Sequence, residues 1–308
     1  IYKPMGMTNS ISSNIISSLA EDQDGYWVGT EEEGLNFISK ADGSIKTINK
    51  ELSSNLVKDV FLDHNDRIYI GTYNGGFNIL NKKTGHVDIF LLDEKRRTNF
   101  INNVYAICKD SKNNLWIGTN AGFYLYDESS RKIIKTYPEI KTLFVTNILE
   151  TPQQDLLVSS TSGLYIKWAS QDHFTLVDGT KDISIKSIFV EDNIAWCASN
   201  TGKIIRYDIS KKSISFVPVK NVSTFLSVIK AGDNLWITTP KGLISFHLKT
   251  REEHLLTTTD GLPSDEFNEN SYLRSKDREL FFGTLNGLVR FDPVSYTHLR
   301  AHETVLDL

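Results

Sequence analysis

The chain repeats one short pattern seven times, and this repetition limits its possible folds more than any other feature. Each copy begins with an aromatic or leucine residue, continues through a short stretch that most often ends in Gly-Thr, and is soon followed by another glycine. A period of roughly 40–50 residues built from short apolar strands is typical of a β-propeller, in which each repeat forms one blade. The copies begin at Trp27, Tyr69, Trp116, Leu157, Trp196, Trp236 and Phe281, so that successive copies are 42, 47, 41, 39, 40 and 45 residues apart.

Each repeat has room for four strands. An alternating segment precedes the pattern, the pattern itself forms a second strand, and two further apolar segments follow. Asp, Asn and Gly residues mark the turn between the first two strands, as at residues 22–25. We therefore predict an all-β fold, a seven-bladed β-propeller of four-stranded antiparallel blades, over residues 1–293. The seventh repeat lacks a fourth strand, and residues 1–4 resemble the end of one, so we expect them to close the ring against blade seven.

Residues 294–308 show neither strand alternation nor blade turns. We expect a helical or disordered tail outside the propeller, and its departure from the repeat suggests sequence that is not native. His298 and His302 have the i, i+4 spacing that can hold a metal ion on a helix. The sequence offers no third ligand beside them, so no metal site is predicted.

Composition restricts the classes of partner. The chain carries 34 basic and 38 acidic side chains, which are interspersed, for a net charge of −4. Without a basic run, nucleic acid is not an expected partner. No apolar run approaches the roughly 20 residues of a membrane span, so this fragment is not expected to contact a membrane. The two cysteines, Cys108 and Cys197, fall in repeats that are not neighbours and are interpreted as small buried core residues. No cofactor is predicted.

The repeat resembles a known family. An Asp-x-x-Gly turn, an aromatic-Ile-Gly-Thr strand, a Gly-Leu pair and an aromatic-Asp pair together look like the two-component regulator propeller repeat. The segment 260–268, followed by 281–284 and by Phe291-Asp292-Pro293, resembles the last repeat of the second propeller in the periplasmic sensors of Bacteroidetes hybrid two-component systems. The resemblance covers residues 1–293.

The resemblance implies a larger parent protein. In that family a further propeller lies upstream, and an immunoglobulin-like domain, a membrane helix, a histidine kinase and a receiver follow. This fragment is therefore expected in the periplasm, as part of an inner-membrane protein that could form a homodimer. Its expected partners are the upstream propeller and the downstream immunoglobulin-like domain. No kinase motif occurs in the 308 residues, so no catalytic residue is predicted.

A binding site in a propeller is expected in the loops on one face, built from the loops between strands two and three and those that lead into each blade. Here these loops carry amides, a few charges and a few aromatic side chains. Amides and charges hydrogen-bond sugar hydroxyls, and aromatic faces stack on sugar rings, so an oligosaccharide is the predicted ligand. The candidate ligand-binding residues are Tyr73, Asn74, Arg96, Arg97, Asn120, Asn200, Lys241, Asp265, Asn268 and Asn286.

Several residues of these loops can be explained by a structural role and not by ligand binding. Asn14, Asn55 and Asn102 recur at one repeat position and are interpreted as caps of the inter-blade loops. Arg96 and Arg97 lie in the longest insertion, which suits either a binding device or a solvated loop. The run 31–33 of three glutamates is interpreted as a solvated acidic loop.

Three functions remain open on the sequence. The first is a non-catalytic oligosaccharide sensor, or a relay for such binding. The second is a protein-interaction propeller. The third is a propeller lyase or glycan-acting enzyme, for which Asp265 and Glu266 would be a possible acid–base pair.

Overall fold

The protein folds as a ring of seven antiparallel sheets, which confirms the predicted seven-bladed β-propeller. The computed structural model describes residues 10–63, 65–96, 100–140, 144–220 and 222–294. Blades 1 to 6 have four strands paired in chain order, and blade 7 has three strands within this described part of the chain. The first strands of neighbouring blades contact one another all the way round, so they line the central channel.

The strands are short, as expected for propeller blades. Blades 1 to 3 consist of β1 Ile16–Glu21, β2 Gly25–Thr30, β3 Leu35–Ser39, β4 Ile45–Ile48, β5 Val57–Leu62, β6 Arg67–Thr72, β7 Phe77–Asn81, β8 Val87–Phe90, β9 Val104–Lys109, β10 Leu115–Thr119, β11 Phe123–Asp127 and β12 Lys132–Thr136. A 3-10 turn, Phe100–Asn102, leads into blade 3.

Blades 4 to 7 follow the same order. They consist of β13 Val145–Glu150, β14 Leu156–Ser160, β15 Gly163–Lys167, β16 Thr175–Leu176, β17 Ile185–Glu191, β18 Ile194–Ser199, β19 Lys203–Asp208, β20 Ser213–Pro218, β21 Ser227–Ala231, β22 Asn234–Thr239, β23 Gly242–His247, β24 Glu253–Leu256, β25 Phe267–Arg274, β26 Leu280–Thr284 and β27 Gly287–Phe291. A second 3-10 turn, Thr258–Asp260, precedes blade 7.

The hydrophobic core is divided among the interfaces between blades. Seven buried clusters occur, and each joins one blade to the next. The first residue of every repeated pattern packs towards the following blade: Trp27 packs with Val57 of blade 2, for example, and Phe281 packs with Ile16 of blade 1. The aromatic positions are therefore core residues, as predicted, and the ring is closed by packing between blades 7 and 1.

The glycine of the Gly-Thr pair allows a close approach between blades. A Cβ atom on Gly71 would lie 2.8 Å from the backbone oxygen of Val104, and one on Gly283 would lie 2.7 Å from that of Ile16. The absent side chain lets the inner strand of the next blade pack directly against the second strand.

Other predictions about the chain have different outcomes. Cys108 and Cys197 are free and buried, as predicted, and burial raises the pKa of Cys197 to about 12. The described residues contain no helix with the length and apolarity needed to span a membrane. The predicted closing strand at residues 1–4 and the tail from 295 onwards lie outside the described residues.

Candidate functional site

The inner strands bulge where they leave the inter-blade loops. In blades 1 to 5 the pairing of the first two strands skips one residue of the inner strand, as between Ile16 and Ser18 in blade 1. A bulge of this kind changes the direction in which the extra side chain points. The five extra residues are Ser17, Lys58, Tyr105, Thr146 and Lys186.

Blade 7 has a longer irregularity. Between Phe267 and Tyr272 of β25, the partner strand β26 advances only from Thr284 to Phe282. Three additional residues are therefore accommodated in β25. Because all these bulges lie at the start of the inner strands, their side chains collect at the end of the channel that the inter-blade loops surround.

The bulges surround one cavity, which we call the channel-mouth cavity. Its volume is about 170 Å³. All five extra residues of blades 1 to 5 line it, and blades 1 and 7 contribute further polar groups. The complete lining is Ser17, Glu31, Lys58, Tyr105, Thr146, Lys186, Asn268, Glu269 and Asn270. Every residue of this lining therefore has a polar or charged side chain.

Two ion pairs balance the charge of this cavity. The Lys58 ammonium binds the carboxylate of Glu31, which lies in the loop after β2. The Lys186 Nζ lies 2.9 Å from the Glu269 Oε1. The lysines are held by strands, whereas the glutamates come from a loop and from the bulge of blade 7. The site thus offers charged donors and acceptors without a net formal charge.

Tyr105 provides an aromatic face. The Lys58 Nζ lies 5.8 Å from the centre of the Tyr105 ring and 5.9 Å from that of Tyr73. Phe144 meets the Tyr105 ring edge-on, with 5.3 Å between ring centres. Burial raises the pKa of Tyr105 to about 12, and nearby Tyr73 and acidic groups add to this effect. Tyr105 therefore keeps its proton at neutral pH and remains a hydrogen-bond donor.

A pair of amides closes the floor of the cavity. The Asn147 Nδ2 donates to the Asn270 Oδ1 at 2.8 Å, which joins blade 4 to blade 7 across the channel. The Asn270 Nδ2 donates in turn to the Thr146 backbone oxygen at 3.2 Å. Asn270 has φ of 53°, a left-handed conformation that asparagine tolerates better than most residues. The amide pair lies between the channel-mouth cavity and the space below it.

The space below is a second cavity, the lower-channel cavity, of about 460 Å³. Asn147 and Asn270 also line it, together with Asp59, Tyr272, Lys109 and other residues of the inner strands. Burial raises the pKa of Asp59 to about 7, although the backbone N–H groups of Ile107 and Val60 and the hydroxyl of Ser18 favour the ionised carboxylate. No group of three or more His, Cys, Asp and Glu side chains suited to a metal ion occurs in the described ranges.

The structure places the residues predicted from the sequence in three settings. Asn268 lines the channel-mouth cavity, and its Nδ2 donates to the Ile16 backbone oxygen at 3.0 Å. Tyr73 lies next to the cavity, because its ring centre is 5.9 Å from the Nζ of Lys58, which lines the cavity. Arg97 is outside the described residues. The remaining candidates lie on the surrounding face outside the lining: Asn74, Arg96, Asn120, Asn200, Lys241, Asp265 and Asn286.

Several of these residues on the face hold loops in place. The Asn74 backbone N–H donates to the Asn103 Oδ1 at 2.7 Å. Asp265 accepts from the Thr258 backbone N–H at 2.6 Å, and Asn286 donates to the Pro263 backbone oxygen at 3.0 Å. Lys241 and Asn200 are exposed. Whether any of them binds a ligand stays a prediction.

The loop asparagines contact the neighbouring blade through their backbones. The backbone oxygens of Asn14, Asn55 and Asn102 each accept from the N–H of a glycine in the neighbouring blade, at 2.7 to 3.0 Å. Glu31 differs from expectation, since it is bound to Lys58 at the cavity and does not point freely into solvent.

Sequence reasoning missed most of the cavity lining. The overlooked residues are Ser17, Lys58, Tyr105, Thr146, Lys186, Glu269 and Asn270. A signal was present in blades 1 to 5, because the start of each inner strand there reads apolar-x-x-apolar, as in Val57-Lys58-Asp59-Val60. This spacing breaks strict alternation and indicates a bulge.

Comparison with known sequences agrees with the architecture. Two segments, residues 10–32 and 100–121, match the sequence profile of the family described as two component regulator propeller. The chain is also 26% identical over 323 residues to histidine kinase P4 of Formosa agariphila, a match that covers 92% of this chain and 22% of that protein. The chain thus carries repeats of this family and spans about a fifth of its curated relative.

Solved structures share the fold. The extracellular domain of the putative hybrid two component system BT3049 from B. thetaiotaomicron superposes with a TM-score of 0.79 at 20% identity, over 97% of this chain and 41% of that one. The extracellular domain of BT4673 from the same organism gives 0.75 at 18% identity, over 94% and 42%. Virginiamycin B lyase from Staphylococcus aureus gives 0.71 at 14% identity, over 92% and 96%. At these identities the likeness concerns the fold alone.

Proposed function

We propose that this propeller is part of the periplasmic sensor region of a hybrid two-component system, where it binds an oligosaccharide without converting it. The observation that carries the proposal is the channel-mouth cavity, where bulges of six inner strands bring polar side chains together. The similarity to histidine kinase P4 and to extracellular domains of two-component systems supports the sensor context.

The chemistry of the cavity suits a neutral sugar. Amides, hydroxyls and two ion pairs supply donors and acceptors in many directions, and Tyr105 offers a ring face. Together these groups can bond several hydroxyls of one sugar.

The arrangement favours binding over catalysis. Both carboxylates of the cavity, Glu31 and Glu269, are engaged by lysines in ion pairs. A general acid or base must reach the substrate proton with a free position. Asp265, considered on the sequence as part of an acid–base pair, is bound to the Thr258 backbone. These contacts support a binding role for this face.

A second candidate function is docking of another domain of the parent protein. Phe100 is 63% exposed on the face of inter-blade loops, and Leu56 and Leu285 on the same face are also exposed. Exposed apolar residues can mark an interaction surface when they are contiguous. Titrating the isolated upstream propeller of the parent chain against this fragment would test docking separately from sugar binding.

The main test is calorimetry with defined oligosaccharides. Linear arabinan, xylan, glucan, mannan and galactan fragments of two to six residues are titrated into the protein, and each mixture is then analysed for cleavage. We expect saturable heat with at least one series and complete recovery of the sugar. Formation of cleavage products would support an enzyme. If the folded protein gave no binding heat with any series, the result would contradict the proposal.

Variants locate the binding. Lys186→Met removes one charged donor of the cavity, and Tyr105→Ala removes the aromatic face. Each is expected to weaken binding by about tenfold or more, because groups built to pair with ligand hydroxyls are lost. Lys181→Ala, an exposed change in the loop that leads into blade 5 and outside the lining, is the matched control and should bind as the unchanged protein does.

A further inference from the structure

The floor of the channel-mouth cavity limits how a chain-like ligand can enter. The hydrogen bond of 2.8 Å between the Asn147 Nδ2 and the Asn270 Oδ1 spans the channel. Asn270 lines both cavities and Asn147 lines the lower one, so their hydrogen bond lies between the two spaces. A sugar chain therefore cannot thread through the channel. A chain bound at its middle would need a groove open at both ends, whereas this cavity is blind.

The size of the cavity sets a second limit. Its volume of about 170 Å³ corresponds to roughly six water molecules at their liquid volume. Pockets for drug-sized ligands begin at roughly 300 Å³. The cavity is therefore smaller than a pocket for a drug-sized ligand, which favours one sugar ring over two.

The polar groups converge on such a ring from several blades. Lys186 of blade 5 lies on one side, and Asn270 of blade 7 lies at the floor. The Thr146 hydroxyl is engaged with the Ser159 hydroxyl and the Ile185 backbone oxygen, at 2.8 Å each. Tyr105 of blade 3 is half-buried, with its hydroxyl protonated. Groups distributed in this way can bond the hydroxyls of one ring at once, including those of its far end.

We infer that the channel-mouth cavity takes one terminal sugar residue of an oligosaccharide, end-on, while the following residues leave through the mouth and cross the loop face; this inference rests on the proposed function. Because the Asn147–Asn270 pair blocks passage along the channel, only the end of a sugar chain can enter the cavity. Tyr73, beside the cavity through Lys58, is placed to meet the second residue.

The test compares free and blocked ends. Tetrasaccharides of arabinan, xylan, glucan, mannan and galactan are each titrated in three forms: unmodified, with 2-aminobenzamide on the reducing end, and with a benzyl ether on the terminal non-reducing residue. For the series that binds, we expect one of the two blocked forms to lose about tenfold or more in affinity, because the added group cannot enter a blind cavity. The other blocked form should bind like the unmodified sugar.

Asn270→Gly assigns this effect to the Asn147–Asn270 pair. Glycine keeps the positive φ of 53° while it removes the amide, which joins the mouth to the lower-channel cavity. The variant should accept the blocked form that the unchanged protein rejects. Lys181→Ala, an exposed change in the loop that leads into blade 5 and outside the lining, should keep the discrimination.

Each outcome has a separate meaning. Equal binding of all three forms would overturn end-on recognition while the sensor proposal stands. Discrimination that persists in Asn270→Gly would place the recognised end elsewhere and overturn the assignment to this cavity. Absence of any binding by a folded protein would overturn the proposed function, and the inference with it.

Discussion

At the scale of single residues, the repeated pattern is explained by contacts between blades and within turns. The threonine that ends the pattern donates its hydroxyl to the backbone oxygen of the following glycine, as from Thr72 to Gly76 at 2.9 Å. The aspartate of the preceding turn accepts from the indole of the tryptophan, as Asp110 does from Trp116 at 2.9 Å. The pattern therefore encodes a turn, a core residue and a close approach between blades together.

The close approach at Gly71 predicts a loss of stability on substitution. In Gly71→Ala, the new Cβ would lie 2.8 Å from the Val104 backbone oxygen, so blades 2 and 3 would have to separate. We expect the free energy of unfolding to fall by about 1–3 kcal/mol, measured by urea denaturation. An unchanged unfolding midpoint would show that the interface accommodates a methyl group.

Asp59 predicts a dependence of stability on pH. Its pKa of about 7 in the folded protein exceeds the roughly 3.9 of an unfolded chain. The folded state therefore holds this proton more tightly, and its contribution to stability is lost as pH rises from about 4 to about 7. Asp59→Asn should shrink the difference in free energy of unfolding between pH 5 and pH 8.

The control for this prediction is Asp42→Asn. The pKa of Asp42 is lowered to about 2, chiefly by hydrogen bonds from Ser44 and Ser39, so this residue does not titrate between pH 5 and pH 8. If Asp59→Asn and the unchanged protein lose the same stability across this range, Asp59 is not the titrating group.

At the scale of elements, the inner strands are joined by side-chain to backbone hydrogen bonds at one repeat position. The Ser18 hydroxyl accepts from the Val60 N–H at 2.9 Å, and the Ser187 hydroxyl accepts from the Val228 N–H at 3.2 Å. In blade 3 the same position is Ala106, which cannot form this bond. The bonds thus supplement the apolar clusters between blades, though not at every interface.

Ser187→Ala tests the contribution of these bonds. The change leaves a buried Val228 N–H without its partner, which costs about 1–3 kcal/mol, measurable as a lower unfolding midpoint in urea. Ala106→Ser is the matched change at the position that lacks a hydroxyl, and it should cost less than Ser187→Ala. The opposite order would contradict a stabilising role for these bonds.

At the scale of the whole molecule, blade 7 connects distant parts of the ring. Its inner strand binds blade 4 through Asn270 and blade 5 through the bond from the Tyr272 hydroxyl to the Ile188 backbone oxygen. Near its end, the Arg274 guanidinium lies 2.5 Å from the Glu191 carboxylate of blade 5. Strand β25 therefore runs from the channel-mouth cavity through the channel to the opposite face.

The hypothesis that residues 1–4 close the ring predicts a loss of stability on truncation. In the described part of the chain, β27 has no strand on its outer edge, and an unpaired edge is a liability. Deleting residues 1–9 should lower the melting temperature, by about 2–4 °C for each kcal/mol lost. Deleting residues 295–308 is the control and should leave it unchanged. Equal melting temperatures for both deletions would refute the hypothesis.

The sequence by itself determined the number of blades, the order of their strands and the core positions, because a fixed period of short apolar segments has few other ways to bury its faces. It also indicated that Cys108 and Cys197 stay unpaired, since their repeats are not neighbours.

Only the tertiary structure decided the candidate site. Closing the ring brings Lys58, Tyr105 and Lys186 to one cavity although they are distant in the chain. The pairing of Asn147 with Asn270 across the channel depends on the three additional residues in β25. A repeat pattern specifies which residues resemble one another, whereas the position of each bulge around a common axis follows from how seven blades pack together.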